Sequence, residues 1–276
     1  MKVLLVPNTE EATSDATRLL TTRLEIAGVD VCVQQPDEKH LTAANLDEIA
    51  LVVAIGGDGT FLRAAHLINF EPIPILGLNH GTLGFLSGEN KRDELECILD
   101  TLSGDVLIER RATLDARFVD ENGEERFVTA LNELAYTRGA NGHIIHYKYS
   151  VNGTPIANLR ADGLIVATGT GSTGYALSAG GPIVSPDYHG LLVVPVAPHT
   201  LNSRALMLSP SDVLEIQTLG RGVYGSSLFV DGEPIDFYGA MNITVTRGQK
   251  DLHVVCAGGD FFENVSRVFF AGGGES

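Results

Sequence analysis

Residues 56–60 read Gly-Gly-Asp-Gly-Thr, directly after the apolar run 49–55 and directly before an amphipathic stretch that begins at Thr60. A strand, this turn and a helix in succession gather backbone N–H groups and the positive end of a helix dipole at one point, which favours phosphate oxygens. Gly56, Gly57 and Gly59 let a ligand come close to the backbone. The spacing is neither GxGxxG nor GxxxxGKS/T, and the turn holds no lysine, so it is neither a dinucleotide fingerprint nor a Walker loop. Asp58 is thus not a cradle residue. An acid beside bound phosphate suits a different role, that of accepting the proton of a hydroxyl that attacks phosphorus while Mg2+ offsets the phosphate charge. From the residues alone, helix capping by Asp58 or Thr60 stays open as the plainer reading.

A second constellation runs from 159 to 186, "LRADGLIVATGTGSTGYALSAGGPIVSP". Its centre alternates Gly with Ser and Thr and carries Tyr175, offering hydroxyls, unhindered backbone and one ring for stacking. The apolar flanks point to an ordered segment, with a turn between a strand and a short helix as the alternative. Just upstream, Arg160 and Asp162 read either as a surface pair or as groups that bind ligand phosphate and a ligand amide or hydroxyl. In "ALNELAYTR" the adjacent Asn132 and Glu133 point to opposite faces of a strand unless a bulge or a strand end turns them. Spacing alone favours their exposure to solvent.

The elements that must position these residues change character along the chain. Apolar runs at 2–6, 29–33, 49–55 and 73–79 alternate with helical spacing over 11–27 and from Thr60 onward, the rhythm of a parallel sheet covered by helices. After "DELECILDTLSG" come β-prone segments separated by Gly, Asn or Pro, with "ENGE" and "VNGT" as hairpin signals. The expected fold class is α/β plus all-β: an N-terminal domain over 1–108 and a β-rich domain over 109–254, with 255–276 packing its aromatic face back on the first.

Composition limits the partners. The 276 residues carry 19 Lys and Arg against 35 Asp and Glu, a net charge of −16, which disfavours nucleic acid and anionic membranes. A small anionic ligand needs only local donors and is not excluded. Cys32, Cys97 and Cys256 are far apart, with no CxxC and no nearby His at ligand spacing, so free thiols are expected rather than a disulfide framework or a zinc site. The opening "MKVLLVPN" is too short for a signal peptide and no apolar stretch approaches a membrane span, so a cytoplasmic location is expected.

Taken together, these segments resemble the NAD kinase family. The matching stretches are "GGDGT" at 56–60, "GLNHGTLGFL" at 77–86, "NE" at 132–133, "ADGLIVATGTGSTGYALSAGGPIVSP" at 161–186, "PHTLNSRAL" at 198–206 and "DGE" at 231–233, in the family's order. The resemblance implies a Rossmann-like parallel α/β domain followed by a β-sandwich-like domain, with the dinucleotide between them. It implies ATP-dependent phosphorylation of the 2′-hydroxyl of the adenosine ribose of NAD, with a divalent cation such as Mg2+, and a homodimer or homotetramer. By position, Asp58 resembles the general base, with Gly59 beside the substrate and the pyrophosphate near Gly56 to Thr60. Asn132 and Glu133 resemble the pair that meets the dinucleotide, which reverses the exposure expected from spacing. Asp162 resembles the residue near the nicotinamide amide, and Thr173, Gly174, Tyr175 and Ser178 the adenosine and ribose contacts. Arg63, His143, Arg160, Ala197 and Glu233 match further dinucleotide-binding positions, although His143 alone reads as a surface histidine.

Where the family commonly has Thr-Pro-Thr-Gly-Ser-Thr-Ala-Tyr, residues 168–175 of this chain have glycine at 169 and 174. Both changes raise the entropy lost when the segment orders. Two other readings share parts of the pattern. A lipid kinase uses a similar GGDGT turn, but the acidic charge and the lack of a basic amphipathic segment weigh against a membrane surface. A dinucleotide sensor without catalysis would gain nothing from an acid beside phosphate.

Overall fold

Runs of Val, Leu and Ile with no polar face need cover on both sides, and β1 (Lys2–Pro7) and β3 (Ile49–Ile55) obtain it inside a parallel sheet. The computed structural model describes the whole chain except residues 9–14, 36–40, 80–83, 87–91, 120–122, 140–141, 220–225, 236–241, 257–260 and 271–276. It divides into two compact units, 1–110 with 251–276, and 111–250.

In the first unit β2 (Asp30–Val33), β1, β3 and β4 (Ile75–Leu78) lie in that order, each pair parallel. The helices are α1 (Asp15–Ile26), the single turn α2 (Ala43–Leu46), α3 (Asp58–Leu67) and α4 (Glu94–Ser103). Leu20 and Leu24 of α1 and Cys97 and Ile98 of α4 pack with Val3, Leu5, Leu51 and Val53 in one buried cluster. At the start of α4, Asp93 accepts the backbone N–H groups of Leu95 and Glu96 and also takes a forked bond from Arg23 of α1, at 2.8 and 2.9 Å.

The second unit is antiparallel. Its strands are β5 (Ile108–Val119, from residue 111 on), β6 (Glu125–Ala130), β7 (Glu133–Arg138), β8 (Ile145–Val151), β9 (Thr154–Ala161), β10 (Gly163–Ala167), β11 (Leu191–Val196), β12 (Leu206–Leu208), β13 (Leu214–Thr218), β14 (Ser226–Val230), β15 (Glu233–Ile235) and the 242–250 part of β16 (Asn242–Val255). One sheet has the order β12-β11-β10-β7-β14-β15, and the strands around β16-β13-β8-β9 form the other. Their inner faces share a core that includes Leu134, Tyr136, Leu164, Val166, Tyr147, Ile216 and Val245. The two buried tyrosines find partners there: Tyr136 Oη with Thr218 Oγ1 at 2.8 Å, and Tyr147 Oη donating to Gly163 O at 2.9 Å. This is a β-sandwich.

β10 departs from simple alternation, since all five residues are buried. Leu164 and Val166 face the sandwich core, whereas Ile165 and Ala167 pack in a second cluster with Ala176 and Val184. A single 3-10 turn, Thr170–Thr173, and the short α5 (Tyr175–Ser178) follow β10. Asn152 (φ 51°) and Gly153 (φ 76°) form the left-handed corner between β8 and β9 that "VNGT" predicts. The corresponding "ENGE" corner lies partly outside the described residues. No disulfide joins Cys32, Cys97 or Cys256.

Candidate active site

The Gly-rich turn leaves β3 at Gly56, whose φ of +146° is open only to glycine and whose added Cβ would sit 2.5 Å from Thr60 Oγ1. Helix α3 then starts, with Gly57 as its N-cap and no side-chain cap bond. The N-cap position, which the sequence left open to Asp58 or Thr60, is taken by Gly57. The Asp58 carboxylate is engaged elsewhere: Oδ2 accepts Phe85 N–H at 3.0 Å and Oδ1 accepts Leu86 N–H at 3.2 Å. Those donors belong to "GLNHGTLGFL", of which residues 80–83 lie outside the described residues. Phe85 is itself braced, stacked on Phe269 at 6.0 Å and 15° and tilted against Phe261 at 6.1 Å. Both partners belong to the C-terminal segment, in α6 (Phe261–Val265) and the π-helical turn Ser266–Phe270. On α3, Arg63 Nη2 donates to Pro7 O, while its Nε is buried without a partner and burial lowers its pKa.

In the second unit a cavity of about 430 Å³ is lined by Glu133, Asp162 and Tyr175 among the expected residues, and by Arg138, Phe229 and Gly232 among those the sequence did not single out. Arg138 Nη1 lies 3.2 Å from Asp162 Oδ1, and the Arg138 backbone N–H donates to Asp162 O at 2.8 Å. Tyr175 is 43 % exposed, so its ring stands available for stacking.

Asn132 and Glu133 escape the opposite-face rule because they occupy a strand end, with Asn132 just before β7 and Glu133 its first residue. Asn132 is half-buried and Glu133 only 7 % exposed, so solvent exposure of the pair is corrected by the structure. Their turn is held from two sides. Asn132 O accepts Thr168 N–H at 2.9 Å, and Gly171 presses so closely that its Cβ would lie 2.0 Å from Asn132 O. From the other side Asp231 accepts the N–H groups of Leu131, Asn132 and Glu133 at 2.9, 2.7 and 3.1 Å. Glu133 Oε2 is buried without a partner. Burial first and the Asp231 charge second push the Glu133 carboxyl up to about 7, against the pull of the Tyr175 backbone N–H.

The Gly/Ser/Thr block is tied to its surroundings by side-chain hydrogen bonds. Thr168 Oγ1 donates to Leu131 O at 2.6 Å and accepts Gly171 N–H at 3.1 Å, and Ser172 Oγ bonds both N–H and O of Val184 at 3.0 and 3.1 Å. Thr173 and Gly174 are half-buried and Ser178 is exposed. Arg160, His143, Ala197 (φ 44°) and Glu233 are exposed and do not line the cavity. Sequence reasoning gives no role to Asp231 or Arg138. Asp231 opens the "DGE" motif, but its carboxylate binds backbone about a hundred positions earlier in the chain, which no local spacing announces.

The ATP-NAD kinase N-terminal domain matches residues 3–105 and the ATP-NAD kinase C-terminal domain matches residues 131–257. Among curated relatives, an NAD kinase from Thermococcus kodakarensis is 40 % identical over 246 residues, covering 84 % of this chain and 85 % of that protein. One from Methanothermobacter thermautotrophicus is 34 % identical, covering 82 % and 78 %. An Archaeoglobus fulgidus NAD kinase solved in complex with ATP superposes with a TM-score of 0.77 at 26 % identity, covering 96 % of this chain and 97 % of that one. Yeast NADH kinase complexed with NADH gives 0.86 at 24 % identity over 100 % and 88 %, a likeness of fold.

Proposed function

The chain belongs to the NAD kinase family, and from that membership we propose how it carries out the ATP-dependent phosphorylation of NAD to NADP. Asp58 is the general base. It takes the proton of the adenosine ribose 2′-hydroxyl as that oxygen attacks the γ-phosphorus of ATP. The observation that carries this assignment is the pinning of both Asp58 oxygens by the Phe85 and Leu86 N–H groups, which fixes the carboxylate at the phosphate-favouring end of α3.

The dinucleotide takes the cavity of the second unit. The Tyr175 ring stacks on it, Asn132 and Glu133 meet its adenosine side, and Asp162, aligned by Arg138, accepts from its amide. Thr173, Gly174 and Ser178 supply nearby backbone and hydroxyls. Arg63, with a buried and unpartnered Nε, suits a phosphate oxygen of either substrate. Arg160, His143, Ala197 and Glu233 stay as outer contacts of the dinucleotide. Magnesium is the companion of ATP in this proposal, since Mg2+ is commonly held by substrate phosphates with one carboxylate or two. With ATP bound, such an ion would supply charge withdrawal from the transferred phosphoryl group. The assembly we propose is a homodimer or homotetramer in the cytoplasm.

The test is a coupled assay reading NADP from NAD, ATP and Mg2+ through an NADP-specific dehydrogenase. Asp58→Asn should lose about 10²–10⁴-fold in kcat while NAD binding stays within a few-fold. A variant with near wild-type kcat removes Asp58 from the base role.

A further inference from the structure

We infer that Asp231 is the positioning residue of the dinucleotide pocket: its carboxylate, lodged in the β14–β15 corner, fixes the turn that presents Asn132 and Glu133. The inference rests on the reading of that cavity as the NAD site.

The geometry is reciprocal. Asp231 Oδ1 accepts from Asn132 N–H and Glu133 N–H, Oδ2 accepts from Leu131 N–H, and the Asp231 N–H donates to Glu133 O at 3.0 Å. Three successive backbone donors aimed at one carboxylate form a small anion nest, filled here by the protein's own acid. Residues 131–133 lead into β7, whose pairing with β14 begins only at Leu134, so these N–H groups would otherwise be left over. Asp231 itself sits at φ 49° followed by Gly232 at 84°, a left-handed corner that Asp and Asn tolerate. Hairpin shape asks only for Asp or Asn there. The three bonds ask for an acceptor, and they are strongest to a charged one.

A second consequence separates this role from mere scaffolding. Glu133 lines the cavity, holds one buried oxygen without a partner, and feels the Asp231 charge across the turn they share. The titratable groups that share its cavity or its turn are Arg138 on its own strand, Asp162 after β9, Tyr175 on α5 and Asp231 at the β14–β15 corner. The cation nearest in this set, Arg138, is committed to Asp162, so the like charge of Asp231 is not offset at Glu133. Asp231 thereby both places Glu133 and favours its protonated form, in which the carboxyl becomes a hydrogen-bond donor in the wall of the cavity.

The test compares wild type with Asp231→Asn, which keeps the corner and one acceptor but drops the charge, and with Glu133→Gln. NAD affinity is measured by titration calorimetry from pH 5.5 to 8.5, and the Glu133 carboxyl is titrated by carbon-13 NMR without ligand. Expected are a Glu133 midpoint near 7 in the wild type, a clearly lower one in Asp231→Asn, and NAD binding about tenfold weaker in that variant with ATP KM within about twofold. Rescue of affinity on lowering the pH of Asp231→Asn supports the role further. An unchanged Glu133 midpoint together with unchanged NAD affinity overturns it. A wild type that binds no NAD overturns the reading of the cavity, and the ligand-free titration still reports whether Asp231 governs Glu133.

Discussion

Replacing Glu133 with Gln should stabilise the protein, and increasingly so as the pH rises. Burial and the neighbouring Asp231 carry this carboxyl from its ordinary 4.5 to about 7. A carboxyl whose folded value lies above its unfolded one holds more protons in the folded state. Its contribution to stability is whole below about pH 4.5 and is lost as the pH climbs through 7. The gap between 4.5 and about 7, at about 1.4 kcal/mol per pH unit, amounts to about 3 kcal/mol. Solvent does little to dilute that figure, because the side chain is only 7 % exposed. Gln has the same shape and no charge to acquire, so the variant keeps what the wild type loses. At about 2–4 °C per kcal/mol, the Tm difference between variant and wild type should open by about 6–12 °C between pH 5 and pH 8. Calorimetric scans of both proteins at four pH values in that interval measure it. A difference that stays constant across the interval refutes the argument, because a packing or hydrogen-bond effect of the amide carries no such pH dependence. Because the amide keeps a donor where the protonated carboxyl has one, the same Gln should leave NAD binding within a few-fold of wild type and remove its pH dependence.

Other positions give sharper contrasts. Gly171→Ala places Cβ 2.0 Å from Asn132 O and should cost about 3 kcal/mol in urea unfolding, whereas Gly59→Ala meets nothing within 4 Å and should stay within about 0.5 kcal/mol. Loss of turnover in Gly59→Ala despite intact stability would then report substrate contact. Phe269→Ala removes the ring stacked on Phe85 and should lower kcat about tenfold, with NAD affinity within about twofold, because the Phe85 N–H that holds Asp58 is loosened. Arg138→Met should cost less than about 1 kcal/mol of stability, its pair with Asp162 being partly exposed, yet weaken NAD binding measured by calorimetry.

How much of this could be read from the chain depends on the range of the forces involved. Strands such as "IALVVAI" and the corner "VNGT" are set by neighbours in sequence, and both form where their pattern puts them. That β1 to β4 run parallel follows from the alternation of strands and helices, whereas their order, β2-β1-β3-β4, is set by which helix crosses which face and is not legible in the pattern. Asp58 could be singled out because an acid in a glycine turn conflicts with phosphate binding unless it serves another purpose. What holds Asp58 could not, since Phe85 and Leu86 approach it from 27 and 28 positions away. Asn132 and Glu133 illustrate the same limit. Alternation sends neighbours to opposite faces, and only the strand end, set by Asp231 and Thr168 across the sheet, turns them into one site. Asp231 itself satisfies a strong local rule, Asp-Gly at a hairpin corner, and that sufficient local reason masks its long-range one.

The two glycines that depart from the family pattern look alike in sequence and differ in structure. At 169 the backbone has an ordinary φ of −57°, but a Cβ would lie 2.7 Å from Ser185 O and 3.0 Å from Tyr188 O. Glycine is required there by the close approach of the 185–188 backbone, whatever its ordering costs in entropy. At 174 the Cβ would lie 3.1 Å from Glu133 Oε2 and 3.3 Å from Gly171 O, a contact that a small shift can accommodate. A methyl at that point covers the orphaned oxygen with hydrocarbon and makes its charged form costlier. Gly174→Ala should therefore push Glu133 further above 7 and steepen the loss of stability toward pH 8, while Gly169→Ala should destabilise equally at all pH values. Carbon-13 titration of Glu133 in the two variants decides between these outcomes. A Glu133 midpoint that falls or stays in Gly174→Ala would mean that the added methyl opens the turn to water, and that the space around Oε2 is set by residue 174 rather than by Asp231.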